Sequence, residues 1–164
     1  MLDEVDNTIL FELQRDARMS NTEIAERIDM SVSAIGKRVI SLEDEGIIKG
    51  YQPEIDYRRI NHGIRMLFVC TATISERELL VQKALDLDAV VNVDELMTGQ
   101  QNVHIQVVGQ MDDITSTAHK IDDIGFTVND EVLMRATYTS PAGEFGESNP
   151  DLGSENYMGD SPEN

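Results

Sequence analysis

At 164 residues, with 40% hydrophobic content, the chain has material for one ordinary domain or two small ones. Its single cysteine, Cys70, excludes an internal disulfide and suits a reducing cytoplasm; no run approaches the roughly 18 apolar residues of a membrane span, and the acidic opening MLDEVDNTIL does not fit a signal peptide. The formal charge of −18, taken as a total, argues against a nucleic-acid partner.

The distribution of that charge is more informative. Residues 1–57 carry a net −7, residues 58–139 a net −5 and residues 140–164 a net −6, so the excess is spread over every segment. Lysine, at four, is scarcer than arginine, at nine. A globally acidic, lysine-poor surface fits a protein that stays hydrated in concentrated salt, and a salt-accumulating halophile is the expected source.

The first helix is expected from about Asp3 to Arg15. Val5, Ile9 and Leu13 line one face, Leu10 widens it, and Asp3 and Glu4 sit where the helix dipole favours negative charge. A second helix starts at Ser20, which has the spacing of a capping box with Glu23, and buries Ile24, Ala25 and Ile28. Asp29-Met30 is a turn. Ser31 is the next N-cap candidate and Ser33 its rival. The third helix is expected to turn Val32, Ile35, Val39 and Leu42 inward and to stop at Gly46, before a short strand at Lys49-Gly50-Tyr51.

Two helices joined by so short a turn have the geometry of a DNA-binding helix-turn-helix. The third helix carries Lys37 and Arg38, with no acid between Asp29 and Glu43. Off its apolar stripe lie Ser33, Ala34, Lys37, Arg38 and Ser41. Lys37 and Arg38 can reach phosphate or guanine, and Ser31 and Ser33 can reach phosphate through hydroxyl and backbone groups.

Residues 56–63 are expected to be a linker, after which the apolar period changes from helical to alternating. A strand from Ile64 to Ile74 places Ile64, Met66, Phe68, Cys70, Ala72 and Ile74 on one face. Ser75 and Glu78 repeat the capping-box spacing ahead of a helix to about Leu87. Strands Val90–Met97 and Val103–Val108 flank a hairpin loop, Thr98-Gly99-Gln100-Gln101-Asn102; a helix Met111–Ile124 and a strand Phe126–Tyr138 follow. The order β-α-β-β-α-β is that of the ferredoxin-like split unit, so the expected fold is α+β, a three-helix winged helix-turn-helix domain over residues 1–55 and a βαββαβ domain over residues 64–139. Two helices on one face leave the other sheet face bare. Residues 140–164, rich in Gly, Pro, Ser, Asn and acids, read as a disordered acidic tail.

Other constellations carry little. His62, His104 and His119 have no metal-ligand spacing, Cys70 suits a core, and the adjacent acids Asp112-Asp113 and Asp122-Asp123 do not converge on one site. Phosphate-loop, dinucleotide and nucleophile motifs are absent, so no cofactor, metal or catalytic residue is assigned.

The segments LDEVDNTILFELQRDARMS, EIAERIDMS and IGKRVISLEDEGIIKGY, followed by the βαββαβ order, resemble the Lrp/AsnC family of transcriptional regulators over about residues 1–139. Leu2-Asp3, Asp6, Ile9, Leu13, Asp16 to Arg18, Glu23 to Ala25, Ser31, Arg38, Leu42-Glu43 and Gly46 to Ile48 fall where that family has similar residues. The resemblance implies a sequence-specific regulator that binds double-stranded DNA at pseudo-palindromic promoter sites. It also implies a homodimer able to assemble into octamers, and a small effector, an amino acid or related metabolite. The effector or assembly contact would fall at the loop Thr98, Gly99, Gln100, Gln101 and Asn102, where the family commonly has Asp at the last position; Gly99 equally suits a purely structural role, as the residue that permits a hairpin turn. Two alternatives share the architecture: an enzyme resembling siroheme decarboxylases, drawing on His62, His104 and Arg65, and a ligand-sensing partner of other regulators that does not bind DNA.

Overall fold

The computed structural model describes residues 2–60 and 63–142. The predicted tail therefore lies outside the described residues from 143 onward, as do His62 and its neighbour in the expected linker. The chain divides into two compact units, with the boundary between Glu54 and Ile55 and the second unit ending at Thr137.

The first unit holds α1 (Glu4–Arg15), α2 (Asn21–Arg27) and α3 (Val32–Asp44). Each begins on a side-chain cap. Asp3 accepts from the Asp6 N–H at 2.9 Å while its own N–H donates to Asp6 Oδ2 at 3.1 Å. Ser20 and Glu23 form the predicted box, with the Ser20 N–H donating to Glu23 Oε2 at 2.7 Å. Ser31 Oγ accepts from the Ala34 N–H at 3.2 Å, which leaves Ser33 inside the helix. Such caps satisfy N–H groups that have no partner within the helix.

Between α2 and α3, Asp29 takes a left-handed φ of 50°, a conformation that a short polar side chain tolerates. Gly46 does the same at φ 68° and ends α3. Ile9, Leu10, Ile24, Ala25, Ile35 and Leu42 form the core. Gly36 lies where the paired helices approach: a β-carbon there would stand 3.3 Å from Asn21 Nδ2.

Two expectations fail in this unit. Val32 is 46% exposed, because it opens the helix and its side chain leans toward the N-terminal end, off the packed stripe. Lys49-Gly50-Tyr51 is not a strand: all four strands of the described residues lie in the other unit, and a three-residue segment without a neighbour has no ladder to join. Tyr51 instead donates its hydroxyl to Glu43 Oε1 at 3.0 Å.

The second unit opens with a turn of 3₁₀ helix at Tyr57–Ile60. It continues through β1 (Ile64–Thr71), α4 (Arg77–Leu85), β2 (Val90–Glu95), β3 (Val103–Gly109), α5 (Met111–Asp123) and β4 (Thr127–Leu133). The sheet is antiparallel, in the order β2-β3-β1-β4. Phe68 pairs with Ile105, and Cys70 with Val103 on one side and Val128 on the other. These residues meet Leu80 and Ala84 of α4 and Ile114 and Ile121 of α5 on one face. By alternation the opposite face carries Leu67, Val69, His104, Gln106 and Val132, away from α4 and α5. Burial pushes the Cys70 thiol up to about 12, so it acts as a core side chain and not as a nucleophile.

The strand ends differ from expectation. β1 stops at Thr71, and Ile74 is 85% exposed in the connection to α4. The Ser75–Glu78 capping box does not form. α4 begins at Arg77 behind Glu76, whose carboxylate accepts instead from the Thr73 hydroxyl at 2.6 Å. β2 ends at Glu95, leaving Met97 99% exposed, and β4 spans Thr127–Leu133 with a register shift opposite Val69 and Cys70.

Candidate nucleic-acid interface and effector loop

α3 is amphipathic, and its outer row is set by period. Ser33, Lys37 and Ser41 recur every four residues and are exposed. Ser31 is exposed at the cap, and Ala34 is half-buried beside it. Lys37 forms no ion pair among the described residues, and residues 30–42 contain no acid. Glu43, Asp44 and Glu45 crowd the C-terminal end, where a helix disfavours negative charge; Ser41 there donates its hydroxyl to Glu45 Oε1 at 3.0 Å. The cation-friendly part of α3 is thus its N-terminal two-thirds. Ile40, 57% exposed one turn from Lys37, was not among the expected residues. An apolar side chain on such a face can meet a thymine methyl group, and only the spacing Ser33–Lys37–Ile40 signals it.

Arg38 has a different environment. Its Nη1 donates to Asp6 Oδ1 at 2.7 Å and to Asp3 Oδ2 at 2.8 Å, tying α3 to the N-terminal cap of α1. The carboxylate hydrogen bonds, first Asp6 and then Asp3, raise the guanidinium pKa further. The Asp3 carboxyl is held below its usual range, chiefly by the Asp6 backbone N–H and then by Arg38.

The hairpin loop is closed by the Leu96 N–H donating to the Asn102 carbonyl at 2.8 Å, and Gly99 adopts a left-handed φ of 101°. Thr98, Gly99, Gln100 and Gln101 are brought together as an exposed loop. Asn102 stands apart, 7% exposed, with Nδ2 donating to the Ala72 carbonyl and Oδ1 accepting from the Ala72 N–H, both at 2.9 Å. Its carboxamide takes the place of a strand partner where β1 ends. The Thr71 hydroxyl donates to the Gln100 carbonyl at 2.8 Å and fastens the loop from the same side.

Asn102→Asp should therefore be destabilising. A carboxylate can accept from the Ala72 N–H but opposes the Ala72 carbonyl oxygen. An unmet buried pair of this kind costs about 2 kcal/mol, or a thermal midpoint lower by roughly 10 °C for a unit of this size. The introduced carboxyl would have a raised folded-state pKa, so the penalty is full at neutral pH and fades as pH falls through that value. Thermal melts of the variant across pH 4 to 8 check both.

Arg65 and His104, two residues of the alternative enzymatic site, stand apart on the sheet. Arg65 pairs across the sheet with Val108, and His104 with Val69, four residues further along β1. Arg65 donates to Gln106 Oε1 at 3.3 Å and Thr137 Oγ1 at 3.1 Å, with its guanidinium 6.0 Å from the Tyr57 ring centre. His62 lies outside the described residues.

Residues 2–49 match the winged helix-turn-helix DNA-binding family model. The transcriptional regulator AzlB of Bacillus subtilis is 30% identical over 112 residues, 67% of this chain and 71% of AzlB. The HTH-type transcriptional regulator LrpA of Pyrococcus horikoshii is 42% identical over 64 residues; the match spans 39% of this chain and about half, 45%, of that regulator. The fold is that of a transcriptional regulator from Neisseria meningitidis solved with L-Met, with a TM-score of 0.69 at 20% identity over 86% of this chain and 94% of that one.

Proposed function

This chain belongs to the Lrp/AsnC family of transcriptional regulators, and from that premise we propose that it binds promoter DNA sequence-specifically through α3 under the control of a small effector. One observation carries the reading: an exposed, acid-free face around Lys37, held on a capped three-helix unit, in a chain with a net charge of −18. Ser31, Ser33, Ala34, Lys37 and Ser41 face the duplex. Arg38 acts by fixing α3 against α1, because its Nη1 is already committed to two carboxylates.

The sheet face turned away from α4 and α5, with half-buried Leu67 and exposed Val132, suits packing against a second copy. A two-fold dimer presents two reading helices to a pseudo-palindromic site, and further assembly toward octamers gives an effector an equilibrium to shift. The loop Thr98–Gln101 is the place we assign to the effector or to the assembly contact, the effector being an amino acid or a related metabolite; the Neisseria relative was solved with L-Met. Relatives with regulator names favour a non-enzymatic role. No helix of the described residues is long and apolar enough to cross a membrane, and we place the regulator in the cytoplasm.

The charge of −18 sets the conditions of binding. In molar salt the Debye length is about 3 Å, so acids away from the contact are screened. Counterion release contributes a slope of about −0.9 per neutralised phosphate in log affinity against log salt. With Lys37 as the principal unpaired cation of each reading helix, a dimer should show a slope near −2, against about −10 for a strongly cationic repressor. Fluorescence anisotropy titrations from low to molar salt measure it. A slope as steep as that of a basic repressor would contradict the proposed interface.

A further inference from the structure

The second unit contains a cleft of about 420 Å³, a size suited to a small metabolite. It lies at the start of β2, the last residues of β3 and one side of α5, so its lining shares no residue with the hairpin loop Thr98–Asn102. Ser116 and Lys120 stand one turn apart on α5, and Asp88 lines the same cleft from the connection between α4 and β2. Asp113, the other acid in the cleft, accepts from the Gln110 N–H at 2.9 Å and caps α5. Lys120 and Asp88 have no ion-pair partner among the described residues. Val91 supplies an apolar wall, and Tyr57 and Ile60 complete the lining from the 3₁₀ turn that follows directly on the DNA-binding unit in sequence.

We propose that this cleft is a binding site for a small amphoteric metabolite, its carboxylate on Lys120 and Ser116, its ammonium on Asp88 and its short apolar body against Val91 and Ile60. Two facts select a zwitterion. A simple anion would meet the field of a chain with a net charge of −18, whereas a net-neutral ligand does not. A simple cation would leave Lys120 unmatched. Because the Tyr57–Ile60 turn lines the cleft, occupancy orders the segment through which the reading head is attached, which gives the ligand a lever on DNA binding. The inference rests on the effector-controlled reading above but assigns a second site to it.

Calorimetry on the full chain tests it, with L-leucine and L-methionine as probes. 4-Methylpentanoate, which lacks the ammonium, and 3-methylbutylamine, which lacks the carboxylate, serve as controls. Both amino acids should bind, and each control should bind at least tenfold more weakly. Lys120→Gln and Asp88→Asn, both at exposed positions, should each weaken amino-acid binding at least tenfold, while Lys83→Gln, exposed on α4 and outside the lining of the cleft, leaves it unchanged. Hydrogen exchange at residues 57–60 should slow on binding. If Gln100→Ala abolishes binding and the two cleft variants do not, the cleft assignment falls while effector control at the hairpin stands. Failure of both amino acids to bind the wild-type chain overturns the inference and leaves DNA binding, measured separately by anisotropy, untouched. Binding without slowed exchange at residues 57–60 overturns the lever.

Discussion

Arg27→Ala is expected to unfold the DNA-binding unit well below the melting temperature of the intact chain. Glu12 of α1 is fully buried, and its Oε2 accepts from Arg27 Nη1 at 2.8 Å. Arg15 stands further off, with Nη1 3.8 Å from Oε1, which has no hydrogen-bond partner of its own. Removing Arg27 leaves a carboxylate in the helical core with one distant cation. Breaking such a pair from one side costs about 3 kcal/mol, a large share of the stability that a unit of some 50 residues can have. Calorimetric melts should show the first unit's transition falling by more than about 10 °C while the sheet unit's transition holds. Adding Glu12→Met should recover most of the loss, because an apolar side chain of similar length removes the stranded charge. An unchanged melt in Arg27→Ala would contradict the assignment of this pair as the tie between α1 and α2.

Lys37→Ala is expected to lower operator affinity by about 10- to 100-fold while leaving the thermal midpoint and the oligomer unchanged. Each phosphate or base contact is worth on the order of 1 kcal/mol or more, and a two-fold dimer loses it twice. Arg38→Ala should behave differently. It removes the tie between α3 and the Asp3–Asp6 cap, so affinity and the first unit's melting temperature should fall together. Anisotropy titrations beside calorimetric melts separate the two residues. Unchanged affinity in both variants would rule out α3 as the reading helix.

The features legible in the sequence are those that local chemistry decides. Ser20 with Glu23, Ser31 ahead of an apolar stripe and Gly46 behind it mark helix ends, because caps satisfy backbone groups within three or four residues. The alternation of Met66, Phe68 and Cys70 likewise marks the inner face of β1. Local spacing misleads where a tertiary partner decides. Ser75 and Glu78 have the same interval as Ser20 and Glu23, yet β1 gives way to a loop at Thr71 and the helix begins between them, at Arg77 behind Glu76. The alternation that reaches Ile74 continues in sequence but not in the ladder, because Asn102 has taken the backbone groups of Ala72.

The candidate site divides along the same line. The acid-free outer face of α3 is visible in the chain itself. The role of Arg38 is not, since its partners are 32 and 35 residues away and become neighbours only when α1 crosses α3. Asn102 is notable in the sequence for standing where relatives of this family commonly have Asp. What makes the amide fit is visible only in the fold, where it must donate as well as accept.

The claim at the centre of this account is that the acidic chain reads DNA sequence through α3. Genome-wide mapping of bound DNA in the native organism tests it most directly. The account predicts occupancy at a limited set of promoters that share a pseudo-palindromic motif, with half-sites about one helical turn apart and lost in the Lys37→Ala strain. Occupancy with no enriched motif, or a motif equally occupied by Lys37→Ala, would contradict it.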